Sequence, residues 1–128
     1  MEKTHLIISL SADDIPSVDF TTFVVSQHPP VQTSLRSEGK EGRDAMGYFT
    51  DLIFSNDMAV GLLGAILYDI IKFGFKQLGQ LFGAQPKATI TLKSGKTVIL
   101  SEKMSDEAIQ AELVNYVKEG VTSIHFDS

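Results

Sequence analysis

Residues 57–81, DMAVGLLGAILYDIIKFGFKQLGQL, hold the largest block of apolar side chains in the chain, and everything else must be arranged around them. Ser55, Asn56 and Asp57 offer a helix-capping start, while Gly83 and then Pro86 offer the stop, so the spacing predicts a helix over 57–81. At 100° per residue, Val60, Leu63, Leu67, Ile70, Ile71, Leu78 and Leu81 fall on one arc, the face suited to pack on a sheet. The opposite arc changes character along its length. Asp69, Lys72, Lys76 and Gln80 make it polar late, whereas Met58, Leu62, Ile66 and Phe73 leave it apolar early. One face of one sheet cannot cover both arcs. The surplus needs another element of the same domain, a partner chain or a membrane surface to cover it. Gly61, Gly64 and Gly74 permit close backbone approach, each at about 1 kcal/mol of helix propensity relative to Ala. Met58, Leu62, Ile66 and Phe73 are therefore the candidate partner interface. A membrane span needs about 20 apolar residues, and Asp57, Asp69, Lys72 and Lys76 interrupt this run, so no spanning helix is expected. Asp69 and Lys72, three apart, suit a weak ion pair along the helix.

Working outward, residues 4–10 alternate Leu6, Ile8 and Leu10 with His5, Ile7 and Ser9, the pattern of a first strand that stops at the Ser11-Ala12-Asp13-Asp14 cluster. Residues 17–27 are ambiguous. Val18, Phe23, Val24 and Val25 suit a strand by propensity, while Ser17 followed by Asp19 opens a short helix, and the reading leans to helix. His28-Pro29-Pro30 breaks any regular element, and a second strand follows over 31–37. Residues 38–45, with two glycines and alternating charge, are expected to be a mobile loop. Beyond the helix, Ala88, Ile90 and Leu92 alternate with Thr89, Thr91 and Lys93, then Ser94-Gly95 turns the chain into residues 97–100, which is a hairpin signature. Ser105 with Asp106 and Glu107 opens a C-terminal helix in which Ile109, Leu113, Tyr116 and Val117 recur at helical spacing, ending at Lys118 and Gly120. Residues 121–126 close the chain as a strand. The expectation is a single α+β domain over 1–128: a small mixed or antiparallel sheet of about four to five strands, packed on one long apolar helix plus a C-terminal amphipathic helix.

The chain has 128 residues and 43% hydrophobic content, enough to bury a core. Its 11 basic and 16 acidic residues give a net charge of −5 with no basic stripe, which argues against a nucleic-acid partner. With no cysteine, disulfides, thiolate nucleophiles and sulfur-ligated metals are excluded. That lack of cysteine fits a reducing cytoplasm, and the amino terminus passes into a strand without an export-signal pattern.

The residues that carry chemistry do not assemble into a motif. His5, His28 and His125 each lack a second ligand at the spacing a helical metal site uses, and chance surface or strand histidines explain them. His5 and His125 become neighbours if the first and last strands pair, still without a third ligand. No serine is framed by a nucleophile elbow. Asp13-Asp14 is better read as turn capping than as a divalent-metal site. Arg36, Lys40 and Arg43 are nearly cancelled by Glu38, Glu41 and Asp44 and follow no phosphate-loop pattern. No catalytic, metal or cofactor site is expected, and the chain reads as a non-enzyme.

The succession of a first strand, Ala45-Met46-Gly47 ahead of a glycine-punctuated apolar helix, the ATITLKSGKTVIL hairpin over 88–100 and the acidic-start helix at Ser105 resembles the effector-associated constant component family. These are small bacterial α+β proteins encoded beside effector genes in predicted conflict and immune systems. The resemblance runs over about residues 4–117, with Met46-Gly47 and Lys93-Ser94-Gly95-Lys96 its most recognisable parts. It implies a non-enzymatic adaptor or coupling subunit that docks or regulates an effector encoded nearby, with proteases or other effectors as typical neighbours, and it carries over no catalytic residue; self-association is the alternative partner expected for the apolar arc. Two other classes stay open: a membrane-active protein whose apolar helix inserts on activation, and a small ligand-binding or hydrolase domain using His5 or His125.

Overall fold

A computed structural model describes residues 6–12, 15–37, 48–55, 57–81 and 83–128. The expected loop at 38–45, His5, Asp13-Asp14 and Met46-Gly47 lie outside the described residues. The elements, in chain order, are β1 (Leu6–Ala12), α1 (Ser17–Gln27), β2 (Gln32–Ser37), β3 (Tyr48–Phe54), α2 (Val60–Leu78), β4 (Lys87–Leu92), β5 (Thr97–Ser101), α3 (Asp106–Glu119) and β6 (Val121–Asp127). The α+β class is as expected. Among the described residues the sheet has six strands instead of four to five, and the helix towards which residues 17–27 lean is present, making a third beside the two of the expected architecture.

The missing strand in the sequence reading is β3. Its apolar residues sit on both faces, Leu52 and Phe54 on one and Phe49 and Ile53 on the other, so it lacks clean alternation and merges with the apolar mass that follows. β1 runs two residues past its expected end, through Ser11 and Ala12. The main helix is shorter than 57–81. Asp57 does not cap it; the N-cap is Ala59, in an extended conformation without a side-chain bond, and Ser55 Oγ instead donates to Asp57. At the other end Gly79 N–H bonds the Phe75 carbonyl, and turn geometry takes over.

The sheet order is β2-β3-β1-β6-β4-β5, mixed, with β1 and β6 the central parallel pair and every other neighbour antiparallel. Each helix thus connects two strands of the same direction, and the right-handed rule for such crossovers sends all three to one face. Burial agrees. Ile8, Leu10, Leu52, Ala88, Ile90, Leu100, Ile124 and Phe126 face Phe20 and Val24 of α1, Leu63, Leu67, Ile70, Ile71 and Phe75 of α2, and Ile109 and Leu113 of α3 in one core. Of the arc assigned to the sheet, Leu63, Leu67, Ile70, Ile71 and Leu78 are buried there, while Val60 and Leu81, at the two ends, are exposed.

The C-terminal half follows its sequence signals closely. Ser105 Oγ accepts from Ala108 N–H at 3.1 Å as the N-cap of α3, with Asp106 and Glu107 in the first turn, and Gly120 ends the helix at φ 103°. The β4–β5 hairpin turns at Gly95, whose φ of 96° is a conformation that favours glycine.

Candidate functional site

The apolar surplus of α2 is resolved mostly from within the chain. Ile66 is only 4% exposed and belongs to the core. Phe73 stacks on Phe23 of α1, centroids 4.4 Å apart, and meets Phe20 edge-on at 5.6 Å. Met58 packs against the core rim, partly buried. The expected interface is therefore corrected at Ile66 and Phe73: α1, once folded as a helix, places Phe20, Phe23 and Val24 on one face, and the first two of these lie over Phe73. Leu62 is different. It is 54% exposed, with Val60 beside it also exposed.

Next to Leu62 a trough of about 430 Å³ runs between α2 and α3, with Gly61, Gly64, Ala65 and Tyr68 on one wall and Gln110 and Val114 on the other. Glycine makes the trough. A Cβ at Gly61 would meet nothing within 4 Å, and one at Gly64 would just touch Val114 Cγ2 at 3.4 Å. The two helices approach closely at Gly64 and leave open space one turn earlier. A polar clamp lies towards the other end of the trough. Lys72 Nζ donates to Asp106 Oδ1 at 2.9 Å, and the Tyr68 phenol is close enough to feel the same carboxylate. The Lys72 hydrogen bond holds the Asp106 carboxyl below its ordinary range, and the same bond raises Lys72. Burial, then the Asp106 charge, raises the Tyr68 phenol. Farther along α3, burial and the Glu112 carboxylate push Tyr116 up to about 12. Asp69 does not pair along the helix with Lys72; its Oδ2 lies 3.0 Å from His28 Nε2, which ties the end of α1 to α2.

The sheet face away from the helices is lined largely by small hydroxyls. In register across all six strands stand Ser34, Asp51, Ser9, Ser123, Thr91 and Thr97. Ser9 Oγ donates to Asp51 Oδ1 at 2.7 Å. In the adjacent row Ser11, His125, Thr89 and Ile99 are in register, and Ser11 Oγ and His125 Nδ1 are 2.7 Å apart. β1 and β6 do pair, as the reading of His5 and His125 supposed, and the side chain opposite His125 on β1 is Ser11. A serine held on a histidine is one step of a nucleophilic site, but the pair sits within two central strands on a flat face, not on the loops at a sheet end where catalytic groups concentrate. Among the described residues no group of three or more His, Asp or Glu is placed to hold a metal ion, and no helix is long and apolar enough to cross a membrane.

Sequence reasoning located Leu62 but not Gln110 and Val114. The signal was present, since both lie on the arc of α3 away from Ile109 and Leu113, but no sequence pattern says which helix that arc meets. Comparison of the chain with family models, curated proteins and solved structures gives no match.

Proposed function

We propose that the chain is a non-enzymatic interaction module, an adaptor that docks a partner protein in the trough between α2 and α3. The observation that carries this is the exposed Leu62 beside a trough opened by Gly61 and Gly64. A half-exposed leucine next to helix backbone bare of side chains suits an inserted apolar side chain or helix from a partner. The resemblance described above supplies the partner class, an effector encoded nearby in a bacterial conflict or antiphage defence system, and the lack of cysteine suits a cytoplasmic setting.

The test is co-purification with the products of adjacent genes. Leu62→Glu and Ala65→Arg, both at exposed positions, should keep the thermal melt of the parent and lose the partner. Retention of the partner by both variants would refute the trough as the docking site. A membrane role requires α2 to leave the core, exposing nine buried residues, and binding of the protein to liposomes would favour that role over an adaptor. The Ser11–His125 pair favours a hydrolase as the second reading; ester hydrolysis lost in His125→Ala would support it.

A further inference from the structure

We propose that two copies of this chain join edge to edge through β5, antiparallel, about a two-fold axis at Ile99, making one continuous twelve-stranded sheet from two sheets of six. The inference does not rest on the adaptor reading, since the helices and the trough play no part in it.

Among the described residues β5 is an edge strand, paired with β4 alone. The direction of its free backbone groups follows from the hairpin. Leu92 N–H donates to the Lys96 carbonyl at 2.8 Å and Glu102 N–H to the Pro86 carbonyl at 3.2 Å. Residues in antiparallel strands alternate between bonded and non-bonded pairs. Val98 and Leu100 therefore point their main-chain groups at β4, and Thr97, Ile99 and Ser101 point theirs outward.

Natural sheets guard such an edge with charges, proline or bulges. Residues 97–101, Thr-Val-Ile-Leu-Ser, carry none of these, and Ile99 at the centre is 60% exposed. The strand is also complementary to itself. With Ile99 opposite the partner subunit's Ile99, Thr97 lies opposite the partner's Ser101 and Val98 opposite the partner's Leu100. Hydroxyl meets hydroxyl and apolar meets apolar, and the outward groups form about six main-chain hydrogen bonds. This register overlaps all of β5.

The flanking charges fit the same register. One residue beyond the strand at each end, Lys96 comes opposite the partner's Glu102, and Glu102 opposite the partner's Lys96; both side chains are exposed. A parallel pairing would place Lys96 beside the partner's Lys96. The assembly is closed, because each copy uses its β5 edge once. The other edge differs in that β2 carries Arg36 within the strand, a charge of the kind that guards an edge against pairing.

Size-exclusion chromatography with light scattering on the full chain tests this. The expected species has twice the mass of 14.0 kDa, dissociating on dilution. Ile99→Lys places like charges opposite each other at the axis, and Thr97→Lys, made separately, sets an unpaired ammonium against the partner's Ser101 in place of a matched hydroxyl; each should weaken the dimer at least about tenfold with the thermal melt retained. Lys96→Glu alone and Glu102→Lys alone should each weaken it, and the double variant should restore it to within about threefold of the parent. Leu62→Glu should leave it intact, which separates failure here from failure of the adaptor reading. A parent that stays monomeric at every concentration, a dimer unaffected by Ile99→Lys and Thr97→Lys, or a double charge reversal that fails to restore association would each overturn the proposal.

Discussion

Within β6, Ile124 and Phe126 are fully buried while His125 and Asp127, between and beyond them, lie on the other side of the sheet. The two faces are one residue apart in sequence and differ in kind. The helix-covered face is filled by large aliphatic and aromatic side chains, each contributing about 1.5–3 kcal/mol by leaving water. Its packing is tight: the Phe126 ring stacks on Phe20 at 5.2 Å and meets Phe75 edge-on at 6.4 Å. The open face carries, beside the apolar Ile7, Ile53 and Ile99, a row of short hydroxyls that hydrogen-bond where they stand, as Ser9 does to Asp51 and Ser11 to His125. Such bonds net only about 1 kcal/mol each. Folding free energy is therefore concentrated in one layer, and the open face and the sheet edges can change at low cost to the fold.

Adjacent substitutions in β6 test that contrast most severely. Phe126→Ala should cost about 3–5 kcal/mol in denaturant unfolding, whereas His125→Ala should cost about 1 kcal/mol through its bond to Ser11. Equal losses at the two positions would break the comparison. Next in size is Gly74→Ala on the inner side of α2. A Cβ there would meet Phe126 Cδ1 at 2.6 Å and Cζ at 2.9 Å, and the buried ring, held between Phe20 and Phe75, has no room to retreat. Overpacking of this kind costs about 1–3 kcal/mol, although the same change on an exposed helix surface would gain about 1 kcal/mol. A neutral or stabilising result would mean that the covered layer is looser than its contacts imply.

The same contrast explains what was legible in the sequence. α3, the β4–β5 hairpin and β6 carry agreeing local signals: Ser105 as cap, Gly95 in the turn, and alternation with one wet face. β3 escaped because its outward side chains include Phe49 and Ile53, so the open face imposes no polar alternation there. The ends of α2 were misplaced because Asp57 is a good capping type, yet Ala59 holds the N-cap position. The α2 arcs were legible as a problem, two apolar faces for one sheet. Their solution was not, because the phenylalanines of α1 that cover Phe73 are brought there by topology, about fifty residues away in sequence. Leu62 was separable from Ile66 only once the positions of α1 and α3 were known.

The covered layer is also uneven at its helix ends. α3 has a side-chain cap and α2 has none. Ser105→Ala should cost about 1 kcal/mol, read from a thermal or denaturant melt. A null result would show that Asp106 and Glu107, both in the first turn, satisfy the helix start by themselves.

The smallest effect is expected from the clamp of Lys72, Tyr68 and Asp106, and pH is the way to isolate it. Asp106 titrates below its ordinary value in the folded protein because Lys72 donates to it. Its contribution to stability is thus complete above the ordinary carboxylate range and disappears as the pH falls through the lowered value. Lys72 is raised by the same bond, and Tyr68 by burial, so their contributions are complete below their ordinary values of 10.5 and 10.0 and fade as the pH rises through the shifted ones. Between those limits the clamp is whole. Wild type and Asp106→Asn should therefore differ in stability at neutral pH and converge as the pH falls through the lowered value, where the carboxylate is lost from the parent as well. Because these side chains are largely solvated, salt should shrink the neutral-pH difference. A difference that persists undiminished at low pH would mean that Asp106 acts as a neutral hydrogen-bonding group at the start of α3, and that nothing ionic holds the two walls of the trough together.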